Sequence, residues 1–342
     1  MDSEKLAKLV EASIGENDKQ QQVEHFLDTG FPPLNKACSG DYEGGFPVGV
    51  LIEMFGPPSC GKTAIATQVM AAAQREGGIA MFMDHESSFD IGLGRSLGLD
   101  DSPGLWIYKQ PETFEESIDM VVVLAHAIRD AGAIDKDAPI VVVFDSLASM
   151  VPQSKLFDKK TGERRGSDSY NMHDNTALAR ATSAVFSVLK PTAKKLNMMC
   201  LFLNQVRQKP GVAYGNPDTT PGGNAPEYYT DTRIKLKREL IKDKATKQFL
   251  GQTITAECVK SKVTLPFKTA RWNFMINEAG EGYFDAITSS LEELKKLGRL
   301  KTAGAYIVWT DGKKYYISAL AKKIKEEGSQ DELFAMFTGD KK

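Results

Sequence analysis

The residues with the clearest chemical signature form one short run, Gly56-Pro57-Pro58-Ser59-Cys60-Gly61-Lys62-Thr63, with Ala64 directly after it. An apolar stretch precedes this run and a helical pattern, Ala64 to Glu76, follows it, which is the context that a phosphate-binding loop requires. Glycines let the backbone N–H groups turn inward towards phosphate oxygens, and the helix N-terminus adds the positive end of its dipole. The ammonium of Lys62 suits the β- and γ-phosphates, and the hydroxyl of Thr63 suits Mg²⁺. The sequence therefore predicts a nucleoside triphosphate site.

Two carboxylates at the ends of apolar runs complete this chemistry. Asp145 can hold Mg²⁺ beside Thr63, although an acid at the end of a strand can also simply cap the next helix. Glu86 follows a second apolar run, where a carboxylate can orient and partly deprotonate water in line with the γ-phosphate. Asp84 competes with Glu86 for that role.

An amide pair, Asn204-Gln205, ends a further apolar run and stands directly before a segment rich in glycine and proline. The amide of Gln205 can touch the γ-phosphate and respond to its loss on hydrolysis, which would switch the following segment between ordered and disordered states. The alternative is an amide that only satisfies backbone groups of the loop.

Two long polar segments, Lys155 to Asn175 and Arg207 to Asn224, follow two of these strand ends. Loops of this length inside a compact domain are usually functional or disordered. Their lysines, arginines and glycines suit a phosphate backbone, because glycine lets main-chain amides approach it closely. An isolated charged loop is more simply a solvated surface insertion, but two such loops beside a triphosphate site favour nucleic acid.

A pair of cations stands in the later strand Val259-Lys260-Ser261-Lys262-Val263, where both lysines project to the same side. A solvated strand face is the ordinary interpretation. The alternative is a pair of cations that reaches the γ-phosphate of a neighbouring subunit, as an arginine finger does.

The elements that must position these residues alternate between strand and helix from residue 50 to residue 204. Near-continuous apolar strands in such an alternation predict an α/β fold with a parallel, twisted sheet covered by helices, and functional residues at the carboxyl ends of its strands. From Thr230 onwards the apolar residues alternate, which predicts antiparallel strands that extend the sheet. A compact α+β module follows this core. An amphipathic helix over residues 4–14 precedes it, and either packs on its own domain or docks on a neighbouring subunit.

Composition excludes several classes of protein. With 342 residues and a net charge of −2, the chain is long enough for two domains and is not a wholesale basic DNA-coating protein. The four cysteines, Cys38, Cys60, Cys200 and Cys258, form no C-x-x-C pair, so we expect neither a disulfide framework nor a zinc site, and a reducing cytoplasm is favoured. Neither a membrane span nor a signal peptide is indicated.

In combination these residues resemble the RecA family of homologous-recombination ATPases, including its bacteriophage members. The resemblance runs from Phe26 to Phe267 and includes Asp84-His85-Glu86 and Asn204-Gln205-Val206-Arg207. The narrowest match is Gly215-Asn216-Pro217-Asp218-Thr219-Thr220-Pro221-Gly222-Gly223-Asn224-Ala225, which is similar to the second DNA-binding loop of the family. The resemblance implies a RecA-like ATPase core over residues 34–276, an N-terminal arm with a polymerisation strand over 1–33, and a small C-terminal domain over 277–342.

The resemblance also implies a role in hydrolysis for each matched residue. Glu86 would activate water, Gln205 would couple the state of ATP to the second loop, and Lys62 would hold the phosphates. Lys260 and Lys262 would act across the subunit interface. Contacts to ATP are implied for the phosphate loop, for Ala64 and for Asp90 at the adenine edge, and contacts to Mg²⁺ for Thr63 and Asp145.

The resemblance further implies two DNA-binding loops, over about residues 155–175 and 206–224. The partners would be single-stranded DNA, homologous double-stranded DNA, further copies of this chain in a helical filament, and single-strand-binding and mediator proteins, in a bacterial or phage-infected cytoplasm. The residues implied in DNA contact are Arg180, Val206, Arg207, Lys209, Gly211, Tyr214, Gly222, Gly223 and Asn224.

Several positions depart from the pattern of the family. Leu93 stands where the family commonly stacks a tyrosine on adenine, so weaker base stacking is expected, and the sequence leaves the selectivity for ATP open. Pro210 replaces the usual aliphatic wedge between bases, and the first loop is longer and more basic than is typical. Together with a C-terminal region that is only loosely similar, these departures favour a bacteriophage-type or otherwise divergent member.

Three other functions use the same phosphate loop. A hexameric ring helicase or motor would usually take its trans cation from an arginine finger, and a small-molecule kinase would need an arginine-bearing lid and an acceptor pocket, which the sequence does not indicate. A non-hydrolysing regulatory protein would have no need for Lys62, Glu86 and Asp145 together. The favoured prediction is a DNA-dependent ATPase that polymerises on single-stranded DNA and catalyses strand exchange.

Overall fold

The computed structural model describes residues 4–5, 12, 23–158, 160–166, 176–208, 218–276 and 282–339. The helix predicted over residues 4–14 therefore lies almost entirely outside the described residues. The strands and helices of the described part are, in chain order, β1 (Phe26–Leu27), α1 (Pro32–Ser39), β2 (Phe46–Pro47), β3 (Leu51–Gly56), α2 (Lys62–Arg75), β4 (Ile79–Asp84), α3 (Ile91–Ser96), β5 (Trp106–Lys109), α4 (Phe114–Asp130), β6 (Ile140–Asp145), α5 (Gln153–Leu156), α6 (Ala177–Lys195), β7 (Met198–Gln205), β8 (Arg207–Gln208), β9 (Asp218–Thr219), α7 (Ala225–Tyr229), β10 (Thr232–Lys242), β11 (Phe249–Ser261), β12 (Thr269–Ile276), β13 (Gly282–Asp285), α8 (Ala286–Lys296), β14 (Thr302–Ala303), β15 (Tyr306–Val308), β16 (Lys314–Tyr315), α9 (Ile317–Glu327) and α10 (Gln330–Ala335).

The main sheet has nine strands in the order β13-β12-β11-β10-β3-β7-β6-β4-β5. Neighbours from β10 to β5 in this order run parallel, whereas in the group β10, β11, β12 and β13 each strand is antiparallel to the next. Helices join most of the parallel strands, because a parallel pair needs a crossover connection rather than a tight turn. The prediction of an α/β fold with a mostly parallel sheet, extended by antiparallel strands, is confirmed.

The central strands are apolar on both faces because helices cover both faces of the sheet. Ile52 of β3 and Val143 of β6 pack in one core with Val69 of α2. Their neighbours along the chain, Leu51 and Phe144, belong to the core on the opposite face, which α4 and α6 cover. Two packed helical layers thereby hold the strand ends in fixed positions.

The carboxyl ends of β3, β7, β6 and β4 lie side by side in the sheet. The strand register pairs Gly56 with Gln205 and Asp84 with Asp145. The polar residues predicted to act on a triphosphate therefore gather at one edge, as expected for an open parallel sheet.

One edge strand, β5, has no counterpart in the sequence-based expectations. It has only four residues and is half exposed, so the pattern along the chain carries little signal. Its pairing with β4 places Trp106 beside Ala80, and an aromatic cluster forms around it. The ring centroids of Phe82 and Phe89 in this cluster are 4.5 Å apart.

The two ends of the described chain pack on the main domain. Phe26 of β1 pairs with Pro47 of β2, so the strand predicted for polymerisation has a partner within its own subunit. At the other end, β13 continues the main sheet beyond the domain boundary predicted at residue 276, and α8 to α10 enclose a separate small core. Tyr42 reaches that core, with its ring centroid 5.2 Å from that of Phe337. Among the described residues, no helix combines the length and hydrophobicity that a membrane crossing would need.

Candidate functional site

The phosphate loop joins β3 to α2 as the sequence predicts. Gly56 has no room for a side chain, since a Cβ atom there would lie 2.8 Å from the carbonyl oxygen of Leu236. Gly61 has a φ of 80°, in the left-handed region that favours glycine, and it directly precedes α2. The carbonyl oxygen of Ser59 accepts a 2.5 Å hydrogen bond from the side-chain amide of Gln252 on β11. The loop is thus held at the N-terminus of a long helix, which is the geometry of an anion site.

Lys62 and Thr63 begin α2 with their polar groups inside the loop. The ammonium of Lys62 donates to the carbonyl oxygens of Pro57 at 2.9 Å and Gly56 at 3.3 Å. The hydroxyl of Thr63 donates to a carboxylate oxygen of Asp145 at 2.9 Å. Burial raises the pKa of Asp145 to about 6, against the opposing effect of this hydrogen bond. A hydroxyl and a carboxylate in contact offer the oxygen ligands that Mg²⁺ prefers, so these two residues fit a magnesium ion.

Asp84 and Glu86, the two candidate bases, have different surroundings. Glu86 is exposed and lies in the wall of the cavity above the phosphate loop. Asp84 is 1% exposed. Its carboxylate accepts hydrogen bonds of 2.9 to 3.1 Å from the backbone N–H groups of Glu86, Ser88 and Phe89 and from the hydroxyl of Tyr108. Asp84 is therefore an anchor for the turn that follows β4.

Three side chains donate hydrogen bonds to the same carboxylate oxygen of Glu86. It accepts hydrogen bonds from the hydroxyl of Ser146, from the hydroxyl of Ser149 at 3.1 Å and from the amide of Gln205 at 3.3 Å. The sequence pattern did not predict a role for either serine, although both follow shortly after Asp145. These contacts hold the Glu86 side chain at the edge of the cavity.

Asn204 connects the end of the second predicted DNA loop to the strand that carries the phosphate loop. Its fully buried amide donates to a carboxylate oxygen of Glu53 at 2.8 Å and to the carbonyl oxygen of Pro221 at 3.0 Å. The other carboxylate oxygen of Glu53 accepts from Arg233 at 2.6 Å. A buried carboxylate needs such compensation, because its desolvation is costly. Asn204 is a structural member of the site that sequence reasoning did not separate from Gln205.

A cavity of about 610 Å³ opens over the phosphate loop. It brings together five of the residues predicted to act on ATP, namely Lys62, Thr63, Glu86, Asp145 and Gln205. The long hairpin of β10 and β11, together with β12, forms another wall, which sequence reasoning missed. That wall consists of Arg238, Leu240, Phe249, Gln252, Phe274 and Ile276. Strand alternation in the hairpin is the only sequence signal for it, and alternation does not say what the strands face.

The predicted adenine contacts, Asp90 and Leu93, are separated by the structure. Leu93 lines the cavity, but Asp90 is not among its lining residues. The carboxylate of Asp90 instead caps the N-terminus of α3, where it accepts from the backbone N–H groups of Gly92 at 2.8 Å and Leu93 at 3.2 Å. The cap fixes the first turn of α3 and, with it, the position of Leu93.

Lys260 and Lys262 do not line the cavity of their own subunit. The ammonium of Lys260 donates to the carbonyl oxygens of Thr230 at 2.7 Å, Tyr228 at 3.3 Å and Glu227. Lys260 is thus directed towards the C-terminal end of α7, the helix that follows the second predicted DNA loop, and the ammonium of Lys262 lies 3.6 Å from the carboxylate of Asp231 just beyond that helix.

The described ends of the two predicted DNA loops meet at the start of α6. Gly223, near the end of the second loop, has a φ of 70°, and a Cβ atom there would lie 2.7 Å from the Cβ of Ala179. Arg180, in the same turn of α6, donates to the hydroxyl of Thr176 at 3.1 Å. Arg207 is exposed on β8, which pairs with β9 and closes the base of the second loop. The bases of both loops therefore lie on one surface.

The remaining predicted DNA contacts border the second loop or lie within it. The backbone N–H of Val206 donates to the carbonyl oxygen of Gly56 at 3.4 Å, so this loop starts in contact with the phosphate loop. Gly222 has a φ of 97°, and Asn224 directly precedes α7. Lys209, Gly211 and Tyr214 lie outside the described residues.

Comparison with known proteins gives the following matches. The RecA N-terminal domain family matches residues 6–281 of the chain. Protein RecA of Wolbachia sp. subsp. Drosophila simulans is 35% identical over 291 residues, which cover 84% of this chain and 74% of that protein. Protein RecA of Bacteroides thetaiotaomicron is 34% identical over 300 residues, which cover 87% of this chain and 81% of that protein. A crystal structure of the RadB recombinase aligns with a TM-score of 0.48 at 21% identity, over 74% of this chain and 97% of that chain.

Proposed function

The chain belongs to the RecA family, and we propose that it is an ATP-dependent DNA recombinase that forms a helical filament on single-stranded DNA and exchanges this strand with a homologous duplex. The main support is the hydrogen bond between Gln205 and Glu86, because it joins the carboxylate best placed to activate water to the last residue of the strand before the second loop. A recombinase needs such a link, since ATP must change the grip of its loops on DNA.

ATP would bind with its phosphates on the loop between β3 and α2. The ammonium of Lys62 would exchange backbone carbonyl oxygens for β- and γ-phosphate oxygens. Thr63 and Asp145 would hold Mg²⁺, which neutralises charge on the transferred phosphoryl group when it is bound. The base would lie against the apolar part of the cavity, which includes Leu93 and Phe249.

Glu86 would orient the attacking water and accept its proton. The hydroxyls of Ser146 and Ser149 support this role, because they hold the carboxylate at the edge of the cavity. Asp84 is the weaker candidate, since hydrogen-bond donors already surround its buried carboxylate.

Single-stranded DNA would contact both loops at once. The close approach of Gly223 to Ala179 supports this proposal, because it brings the bases of the two loops to one surface. Arg180 and Arg207 would bind DNA phosphates there, and the glycines would let backbone N–H groups approach the strand.

Lys260 and Lys262 would reach the ATP of a neighbouring subunit, since neither lines the cavity of its own. Nearby segments carry apolar side chains that a second copy of the chain would bury: Tyr228, Leu265 and Phe267 are each more than two-thirds exposed, at 71%, 76% and 71%. One face with the lysines and another with the cavity form a head-to-tail contact, which generates an open helix when the rotation does not close.

Electron microscopy of the protein on single-stranded DNA, with a non-hydrolysable ATP analogue, tests the assembly. Helical filaments are expected, together with ATPase activity that rises when single-stranded DNA is added. Lys62→Ala is the control, because it should lose the filaments that depend on ATP. Closed rings without filaments would support a ring motor instead, and an ATPase that ignores DNA would overturn the proposal.

A further inference from the structure

A cluster of three lysines and one aspartate lies beside the proposed inter-subunit contact. The lysine cluster consists of Lys190, Lys260, Lys262 and Asp231. One carboxylate oxygen of Asp231 is 2.5 Å from the ammonium of Lys190 and 3.6 Å from that of Lys262. Lys260 completes the group through the carbonyl oxygen of Thr230, the residue next to Asp231.

The lysine cluster joins three segments that the proposed function uses. Lys190 lies on α6, which follows the first loop, and its ammonium also donates to the carbonyl oxygen of Tyr229 at 3.0 Å. Asp231 comes just after Thr230, the C-cap of α7, the helix that follows the second loop. Its backbone carbonyl accepts from the N–H of Lys262 at 2.9 Å, just beyond the end of β11. Asp231 therefore lies just after the helix behind the second loop, and its carboxylate contacts both the helix behind the first loop and the lysine that follows β11.

Charge in the lysine cluster is unbalanced. Asp231 is its only carboxylate, and it is buried, with an exposed fraction of 8%. Arg233 is also close, but it is already paired with Glu53 at 2.6 Å. The second carboxylate oxygen of Asp231 is buried and has no hydrogen-bond partner among the described residues. Burying a polar atom without a partner costs free energy. The two ammonium groups near the other oxygen of Asp231 offset this cost.

The pKa of Lys260 reflects this excess of positive charge. Burial and the positive charges of Lys262, Lys190 and Arg233 together lower its pKa to about 8, whereas the negative charge of Asp231 acts in the opposite direction. Lys260 is useful to a phosphate only when it is charged. Asp231 and Lys190 therefore have opposite effects on the fraction of charged Lys260 at mildly alkaline pH.

We propose that Asp231 and Lys190 are positioning residues for Lys260 and Lys262, and that their contact sets the charge of Lys260 and the placement of both lysines before a neighbouring ATP arrives. The proposal rests on the inter-subunit role given to these lysines above. Asp231 holds Lys262 near the subunit surface and favours the charged form of Lys260. Lys190 competes for the same carboxylate oxygen, so it limits how firmly Asp231 holds Lys262 and leaves that lysine able to move to a phosphate.

The test is the pH profile of the DNA-dependent ATPase of the full chain. The rate should fall as the pH rises through the pKa of Lys260, because the neutral amine no longer stabilises charge on the γ-phosphate. Asp231→Asn should move this alkaline limb to lower pH, and Lys190→Met should move it to higher pH, each on the order of one pH unit. A purely structural loss would lower the rate in both variants without moving the two limbs in opposite directions.

Glu239→Gln is the matched control for the carboxylate-to-amide change. Glu239 pairs with Arg271 on the same sheet, and neither residue belongs to the lysine cluster. Its alkaline limb should coincide with that of the unmodified protein. If the alkaline limb of the Lys190→Met profile does not move, or moves to lower pH, the proposal is overturned. Lys190→Met alone decides the question if Asp231→Asn does not fold.

Lys260→Ala and Lys262→Ala distinguish this proposal from the one it rests on. Both should lose DNA-dependent ATPase activity but still bind a fluorescent ATP analogue as single subunits. If they hydrolyse ATP normally with DNA, the inter-subunit role itself is wrong. If they are inactive while the limbs of Asp231→Asn and Lys190→Met stay in place, only the positioning role is wrong.

Discussion

The side-chain amide of Gln205 donates a 3.3 Å hydrogen bond to the carboxylate of Glu86. This bond joins the last residue of β7 to the turn that follows β4. Gln205 is followed at once by Val206, whose backbone N–H donates to the phosphate loop at Gly56. The candidate base, the phosphate loop and the start of the second loop are therefore in direct contact. Under the proposed function, a change at the γ-phosphate would reach the start of the second loop through the single hydrogen bond between Glu86 and Gln205.

Glu86→Gln should lower the rate of ATP hydrolysis by about 10²- to 10⁴-fold, because the amide cannot accept a proton from water. Binding of ATP should be nearly unchanged, since the phosphate loop and Lys62 are intact, so filaments should persist with ATP itself. Single-turnover hydrolysis and equilibrium binding of a fluorescent ATP analogue measure the two effects separately.

Asp84→Asn is the matched control for Glu86→Gln. It should mainly lower the free energy of unfolding, by about 1–3 kcal/mol, because an amide NH₂ group would face backbone donors in a buried site. Urea unfolding measures this loss. Normal hydrolysis by Glu86→Gln, together with slow hydrolysis by folded Asp84→Asn, would make Asp84 the base instead.

Gln205→Ala should uncouple ATP from DNA. We expect the affinity for single-stranded DNA to lose most of its dependence on ATP, which for two coupled ligand sites is typically about 5- to 150-fold. Fluorescence anisotropy of labelled DNA, with and without an ATP analogue, measures the ratio. Gln330→Ala is the control, since Gln330 is an exposed glutamine on α10 that neither lines the cavity nor belongs to a predicted DNA loop. Equal loss of the ratio in both variants would refute the role of Gln205.

Arg233→Ala should destabilise the fold by about 3–5 kcal/mol, because it leaves the fully buried carboxylate of Glu53 without its cation. Arg271→Ala should lower the free energy of unfolding by less than about 1 kcal/mol, since its ion pair with Glu239 is exposed to solvent. Urea denaturation with tryptophan fluorescence compares the two variants. Similar urea midpoints for the two variants would contradict the prediction that the buried ion pair of Glu53 contributes more stability than the exposed pair of Glu239.

Leu93→Tyr should strengthen the binding of ATP by about 1 kcal/mol, because Leu93 lines the cavity and an aromatic ring there can stack on a base. Leu93→Met keeps an aliphatic side chain of similar size and should change little. Competition by inorganic tripolyphosphate should be the same in both variants, since it has no base. A gain for tripolyphosphate as well as for ATP would place the effect on the phosphates and contradict base stacking.

Local patterns along the chain were sufficient for the phosphate loop, for the parallel strands and for the polar residues at their ends. The glycines and Lys62 have fixed spacing, and the strands β3, β4 and β6 are buried at every position, so each element carries its own signal. The order of strand and helix then brings Asp145 and Gln205 to the same sheet edge, because parallel strands all end on one side.

Other features depend on which strands become neighbours, and no local pattern contains that information. β10 pairs with β3, and only this pairing brings Arg233 to Glu53 and places the hairpin wall over the phosphate loop. The short strand β5 and the contact between Lys190 and Asp231 have the same origin, since their partners are distant in sequence.

The sequence by itself determined the family, the α/β fold and the chemistry of the phosphate loop, because these depend on residue types at fixed short spacings. Only the tertiary structure decided between Asp84 and Glu86 as the exposed carboxylate, since burial and hydrogen bonding depend on the surrounding elements. It likewise made Asp90 a helix cap and gathered three lysines around Asp231. The free energy of a charged group depends on what surrounds it in space, and those surroundings exist only once the chain has folded.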